Sequence, residues 1–109
     1  MSFKAVILLS RRDDMTPTEF RTWWLHEHAP LAAQLPGVRR IVFNAVAGDD
    51  AELANADVDG VSELWFDDEA AFTAAYATDL GKQVAADSMA HVRSRVRMFV
   101  TEHVVVGES

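Results

Sequence analysis

The sequence predicts a single α+β domain whose strands and helices follow in the order β-α-β-β-α-β. Two kinds of segment lead to this prediction: short runs of β-branched and aromatic residues typical of strands, and longer segments that begin with helix-start signals. The order is that of the ferredoxin-like unit, a four-stranded antiparallel sheet with helices on one face. There are no repeats or linkers, so we expect residues 1–109 to form one domain.

Four segments have the composition of strands, namely residues 3–10, 38–47, 60–66 and 93–106. The first two, and the valine run 104–106 at the end of the fourth, are apolar on both alternating faces. Both faces of the sheet must therefore be covered, but two helices can cover only one. A second copy of the sheet is the simplest cover for the other face. The pattern predicts a homodimer packed through its open sheet face.

The helical segments carry explicit start signals. In the first, Thr16 as N-cap, Pro17 at the first helical position and Glu19 form a capping box. We expect this helix to reach about residue 29, to bend near Pro30, which lacks a backbone N–H, and to add a turn through residue 35. The second helix begins at the carboxylates 67–69, and a further helical piece, residues 80–91, begins at Asp79 as N-cap.

Composition argues against several classes of function. A net charge of −7 disfavours nucleic acid or an anionic membrane as the main partner. The chain has no cysteine, which removes thiol nucleophiles, thiolate metal sites and disulfides. The apolar run 5–9 is shorter than the core of a signal peptide, and no segment approaches the roughly 20 apolar residues of a membrane helix. We therefore expect a soluble cytoplasmic protein.

His28 is the strongest candidate for chemistry. His26 points to roughly the opposite side of the helix, whereas His28 lies within roughly 80° of the largest apolar side chains, Phe20, Trp24, Leu31 and Leu35. A partly desolvated imidazole tends to have a lowered pKa and is a competent general acid or base near neutral pH. The alternative is a core histidine that is satisfied by a backbone carbonyl.

A metal site is not expected. The two histidines diverge by about 200° on a helix and cannot hold one metal ion, and neither has a histidine or carboxylate partner at the i+4 spacing of a zinc helix. Haem ligation needs only one histidine, so this argument leaves it open.

Two polar residues lie on strands among apolar neighbours. Asn44 could polarise a substrate carbonyl or stabilise an oxyanion, or simply begin a loop at the strand end. Glu63 shares a face with Val61 and Trp65, and we interpret it as the ion-pair partner of Arg95 or Arg97. Four aromatic residues could wall a pocket for a cyclic ligand, although aromatics at these spacings are more often core: Trp24, Phe43, Trp65 and Tyr76.

The segment FRTWWLHEHAPL, residues 20–31, resembles the EthD family, as do LPGVRR at 35–40 with Asn44, DGVSELWF at 59–66 and TEHVV at 101–105. The resemblance implies a dimeric α+β barrel and places the family's signature histidine at His28. It implies a ligand cleft between the sheet and the helices. Similar architectures include muconolactone-type isomerases, polyketide-tailoring enzymes and small cofactor-free monooxygenases, while the family's founding member resembles an accessory to an oxidising system for ether degradation.

We therefore predict a cofactor-independent acid–base enzyme of isomerase, dehydratase or lyase type. Its substrate would be a small cyclic or aromatic carbonyl or lactone compound of a catabolic or biosynthetic pathway. His28 would transfer a proton and Asn44 would polarise an oxygen, while the substrate would contact Trp24, Phe43, Trp65 and Glu63. Two alternatives remain: a non-catalytic accessory dimer that binds a hydrophobic intermediate for an oxygenase system, and a small monooxygenase or oxidoreductase, either haem-dependent or cofactor-free.

Overall fold

The computed structural model describes residues 2–107 and contains one four-stranded antiparallel sheet. Its strands are β1 (Phe3–Arg11), β2 (Arg40–Ala45), β3 (Gly60–Phe66) and β4 (Val92–Val100). They lie side by side in the order β2-β3-β1-β4, so β1 and β3 are central and β2 and β4 are the edges. All neighbouring pairs are antiparallel. The predicted ferredoxin-like arrangement is confirmed.

The helices pack on one face of this sheet. Between β1 and β2, three pieces form a continuous helical arm: α1 (Pro17–Trp23), a π-helical turn (Trp24–His28) and α2 (Ala29–Ala32). After β3 come α3 (Glu69–Ala77) and α4 (Asp79–His91). The bend expected near Pro30 is therefore a local widening of the helix, and α2 ends three residues before the predicted position 35.

Some predicted boundaries are wrong. The last strand ends at Val100 instead of residue 106, because Val100 pairs with Lys4, almost the first residue of β1. No neighbouring strand remains to bond the segment beyond it, and residues 101–107 are exposed. The cap of α4 is Thr78, not Asp79: the Thr78 hydroxyl accepts the backbone N–H of Gly81 at 3.0 Å.

The predicted capping box at the start of α1 is present. The Thr16 hydroxyl accepts the Glu19 backbone N–H at 3.1 Å, and the Glu19 carboxylate accepts the Thr16 N–H at 2.8 Å. These bonds satisfy two of the donors that a helix leaves unpaired at its N-terminus.

We expect Thr16→Ala to lower the free energy of unfolding by about 1 kcal/mol, because it removes this cap. Thr22→Ala is the matched control, since Thr22 is exposed within α1 and alanine has the higher helix propensity. Urea unfolding of both variants measures the difference. Equal stabilities of the two would contradict a stabilising role for the cap.

Strand alternation gives the sheet two distinct faces. The helix-facing side carries Ala5, Ile7 and Leu9 of β1, all at most 5 % exposed, opposite Leu64 and Ser62 of β3. The other side, here called the open face, is not covered by any helix of the described residues. Its apolar side chains are partly or fully exposed and include Val6, Leu8, Val61, Trp65, Val96 and Met98.

A buried ion pair ties the end of β1 to the loop before β3. The Asp59 carboxylate accepts the backbone N–H of Arg11 at 2.9 Å and also its guanidinium. The same guanidinium donates to the carbonyls of Met15 and Ala54. The two side chains are only 9 % and 2 % exposed. This pair holds the loop against the entrance to the helical arm.

Candidate functional site

His28 lies at the end of the π-helical turn. In an α-helix, residues five positions apart point about 140° away from each other, whereas a π-helical turn brings them onto one face. Trp23 and His28 are five apart, and their ring centroids lie 5.0 Å from each other. The Ala29 amide donates to the carbonyl of Trp24, five residues back. Because Pro30 has no amide to donate, the regular α-helical pattern is also broken at the next position.

Helix α4 supplies a hydrogen-bond partner for each nitrogen of the His28 ring. Asp87 Oδ2 lies 2.8 Å from Nδ1, and Ser88 Oγ lies 3.2 Å from Nε2. Asp87 also accepts the indole N–H of Trp23 at 3.2 Å. The ring of His91 stacks on that indole with centroids 4.2 Å apart. Two successive residues of one helix thus fix the orientation of the imidazole.

The nature of these partners assigns the tautomer of His28. A carboxylate can only accept, so Nδ1 carries the proton and donates to Asp87. Nε2 is then an acceptor, and the Ser88 hydroxyl donates to it. The three residue types are those of hydrolase triads. However, Ser88 is only 6 % exposed within α4, and we assign it the simpler role of orienting the ring.

The surroundings of His28 favour its neutral form. Burial lowers the pKa of His28 below its ordinary value of 6.5, although the hydrogen bond and the charge of Asp87 act in the opposite direction. The side chain is 6 % exposed. A neutral imidazole whose second nitrogen is an acceptor can take up a proton at neutral pH, which is what a general base requires.

The lowered pKa of His28 predicts a pH-dependent stability. Below pH 6.5 the unfolded chain binds this proton more readily than the folded protein does, so the free energy of unfolding falls as the pH drops from about 6.5 through the lower folded pKa. His28→Gln should remove this part of the decline. Urea unfolding at several pH values would measure it. A parallel decline in both proteins would contradict the lowered pKa.

A small cavity lies between the sheet and the helices beside the His28 ring. Its volume is ≈ 20 Å³, which accommodates about one water molecule. Apolar side chains of β1, β3 and α4 form most of its wall, together with Phe43. Its polar side chains are His28, Ser62, Tyr76, Ser88 and Arg95. No carboxylate is among the described residues that line it.

Three of the four predicted aromatic walls lie on this side of the sheet, and one of them, Tyr76, lines the cavity. Phe43 lines the cavity, with its ring centroid 6.1 Å from that of His28. Trp24 stacks behind Phe43 with centroids 4.4 Å apart and is fully buried. Its ring also packs on Gly60, where any Cβ atom would lie 2.5 Å from it. Trp24 therefore supports the cavity wall without reaching the cavity.

The other three predicted site residues lie on the open face, with the sheet between them and His28. Asn44 donates to Glu63 at 3.0 Å, and Glu63 pairs with Lys4 at 2.8 Å. The bonds from Lys4 and Asn44 lower the pKa of the Glu63 carboxyl. Trp65 lies under the Lys4 ammonium, 4.6 Å from the ring centroid. The structure does not bring Asn44, Glu63 or Trp65 together with His28.

The expected ion pair of Glu63 with Arg95 or Arg97 is wrong. Both arginines alternate onto the helix-facing side of β4, opposite Leu9 and Ile7 of β1. Lys4, one strand away on the open face, takes their place beside Glu63.

Asp87, Ser88 and the cavity position of Arg95 were not predicted from the sequence. A signal for the first two does exist. Val84 is a buried apolar residue of α4, and Asp87 and Ser88 follow it at the i+3 and i+4 positions of the same helix face. Polar side chains at those positions point towards the core and need partners there.

Neither a cluster of metal ligands nor a membrane-spanning helix is found within residues 2–107. Within residues 2–107, no three histidine, cysteine or acidic side chains are grouped closely enough to hold a metal ion. Over the same residues, no helix has both the length and the hydropathy needed to cross a membrane.

Three solved structures with the same fold are 19 % to 24 % identical to this chain. An EthD family protein from Bacillus halodurans C-125 superimposes with a TM-score of 0.78 at 24 % identity, over 94 % of this chain and 100 % of its own. A dimeric ferredoxin-like protein of unknown function from Thermobifida fusca YX gives 0.73 at 20 % identity, over 94 % and 92 %. SnoaB, a cofactor-independent oxygenase from Streptomyces nogalater, gives 0.71 at 19 % identity, over 98 % of both chains.

Among curated proteins, none matches the chain. The sequence pattern of the EthD domain matches residues 12–92, which include the whole helical arm and all of α4. The resemblance seen in the sequence is thereby confirmed, and the chain belongs to the EthD family.

Proposed function

We propose that the protein is a cofactor-independent acid–base enzyme in which His28 transfers a proton to or from a small cyclic or aromatic compound. The observation that carries the proposal is the pair of contacts made by the His28 ring. Nδ1 is held by Asp87, outside the cavity, while Nε2 faces Ser88, which lines it. An imidazole that is held on one side by a carboxylate, and whose other nitrogen accepts only from a hydroxyl that a substrate can replace, has the arrangement of a general base.

The geometry favours reactions that need only proton transfer. His28 Nε2 accepts a proton from the substrate, and the charge that develops on the ring is stabilised by Asp87 through Nδ1. The same nitrogen returns the proton at another substrate atom. Isomerisation, dehydration and elimination all fit these two proton-transfer steps. The apolar walls around Phe43 exclude water from the site.

The proposed site retains His28 and Phe43 at the cavity, with Trp24 behind them. Asn44, Glu63 and Trp65 belong to the open face, where we propose that a second copy of the chain packs. The dimeric ferredoxin-like neighbours support a homodimer of this kind. The cytoplasmic location and the place in a catabolic or biosynthetic pathway stay predictions from the sequence.

Hydrogen exchange in deuterated water tests the proposal before the natural substrate is known. A panel of cyclic ketones, lactones and phenols is incubated with the protein in D₂O, and mass spectrometry measures deuterium uptake at carbon. We expect uptake with the wild type and with His26→Gln, but not with His28→Gln. His26 is the matched control, since it is exposed two residues away.

Binding without catalysis would contradict the proposal. Ligand-observed NMR shows which compounds of the panel bind. If bound compounds take up deuterium no faster with the wild type than with His28→Gln, the protein sequesters its ligand, as an accessory dimer of an oxygenase system would.

A further inference from the structure

Arg95 is a cation of the His28 cavity that has no anionic partner among residues 2–107. It lies on the helix-facing side of β4, opposite Leu9, and lines the cavity together with His28 and Tyr76. Its Nε is fully buried and has no hydrogen-bond partner in residues 2–107. No carboxylate of the described chain lies within 4.0 Å of its guanidinium.

The neighbouring arginines of β4 are satisfied in other ways. Arg93 donates to the carbonyls of Arg11 and Ala56. Arg97 stacks over the rings of Phe72 and Phe99, at 5.4 Å and 5.0 Å from their centroids. Of the three arginines, Arg95 is the one that lines the cavity.

The charge around Arg95 leaves a place for an anion. On its own strand, the charged residue that acts on Arg95 is Arg97, a second cation. The described residues that line the cavity include no carboxylate. Burial lowers the pKa of Arg95, but an arginine remains protonated at neutral pH even so. A protein with a net charge of −7 thus has a positively charged cavity at its candidate site. A buried, unpartnered donor is costly, and a ligand oxygen would remove that cost.

We propose that Arg95 binds an ionised oxygen of the substrate, so that the substrate is a small planar compound with a phenol or an enolisable carbonyl. This inference rests on the proposed function. As His28 Nε2 takes the proton, the electron pair left behind becomes a phenolate or enolate oxygen, and the Arg95 guanidinium holds that charge. Tyr76 lines the same cavity, and we assign its hydroxyl as a second donor for the oxygen. Phe43 gives a flat apolar surface for the ring.

The cavity must widen to admit such a compound. In the present form it accommodates about one water molecule, whereas a substituted benzene ring is several times larger. The wall includes four half-buried residues, Phe43, Tyr76, Ala85 and Arg95. Movement of the long side chains among them opens the cavity without unfolding the sheet or the helices.

The test uses 4-nitrophenol, whose anion has a visible absorbance that the neutral phenol lacks, and 4-nitroanisole, the same ring without an ionisable hydroxyl. We expect the wild type to bind the nitrophenolate and to lower the pKa of the bound phenol. Arg95→Met should weaken this binding by about 10- to 100-fold, the usual effect of losing a charged hydrogen bond. Arg95→Lys should restore part of it, since the charge is kept.

The matched control is Arg97→Met, which removes the same charge from the same strand face but outside the cavity wall. It should leave the binding of nitrophenolate nearly unchanged. Without ligand, Arg95→Met should unfold at the same temperature as the wild type or a higher one, because an apolar side chain replaces a half-buried cation whose Nε has no partner within residues 2–107. This readout shows that the variant is folded.

Two outcomes would overturn the inference: nitrophenolate that binds equally well to the wild type and to Arg95→Met, or nitroanisole that binds as tightly as nitrophenolate. His28→Gln separates this inference from the proposed function. Binding that depends on Arg95 and survives His28→Gln, in a protein that exchanges no deuterium, would support the anion site and contradict the acid–base enzyme.

Discussion

Replacing His28 by glutamine is expected to reduce the catalysed rate by about 10²- to 10⁴-fold, the usual contribution of a general acid or base. Glutamine has a similar size and can still donate a hydrogen bond to Asp87, so the cluster around Trp23 should persist. The loss would therefore come from the missing proton acceptor and not from a collapsed site. Steady-state kinetics on any compound that exchanges deuterium would measure it, with thermal unfolding as the check on folding.

Asp87→Asn should have an effect of similar size by a different route. An asparagine amide can donate to Nδ1 of His28, which moves the ring proton to Nε2 and removes the acceptor from the cavity side. Because the two residues act as one unit, the double variant should be little worse than either single one. Asp79→Asn, at the exposed start of α4, is the control. Additive losses in the double variant would contradict a shared role.

The largest expected effect on stability belongs to Asp59→Asn. The change removes the negative charge from a pair whose side chains are 9 % and 2 % exposed and leaves the Arg11 guanidinium buried without its counterion. Breaking a buried pair in this way costs about 3–5 kcal/mol. Urea unfolding measures the difference in free energy between the variant and the wild type.

Asp67→Asn provides the matched control for that measurement. Asp67 pairs with Arg39 through two hydrogen bonds, but the two side chains are 62 % and 65 % exposed. Because solvent screens such a pair, its loss should change the free energy of unfolding much less than the loss of the buried pair. If both variants lost the same amount of stability, burial of the Arg11–Asp59 pair would not matter, contrary to our expectation.

Predictions from the sequence were accurate where the structure depends on residues close together in the chain, and they failed where it depends on residues far apart. The capping box at Thr16 depends on residues within one helical turn, so the start of α1 was predicted to the residue. The end of β4 depends on where its partner β1 begins, almost a hundred residues earlier, and was predicted six residues too far. The hydrogen bond between His28 and Asp87 joins residues 59 positions apart in the chain. No local sequence pattern indicates such a contact.

The alternation of side chains along β2 shows a second limit of prediction from the sequence. The period of two places Phe43 and Asn44 on opposite faces of the sheet, and the structure has them there. It does not show which face meets the helices, because that depends on how the whole sheet packs. The prediction that Phe43 and Asn44 contact one substrate would need the two faces of the sheet to lie close together. The sheet itself keeps them apart.

The π-helical turn has a consequence for comparing this chain with its relatives. Such a turn is one residue inserted into an α-helix, and it absorbs the insertion so that the helix keeps its faces on both sides. Trp23 and His28, five apart here, are therefore equivalent to a pair four apart in an uninterrupted helix. A one-residue gap in an alignment of this segment would mark a change in helix type, with the histidine still in place. Motif searches that fix the spacing would separate proteins that share the site.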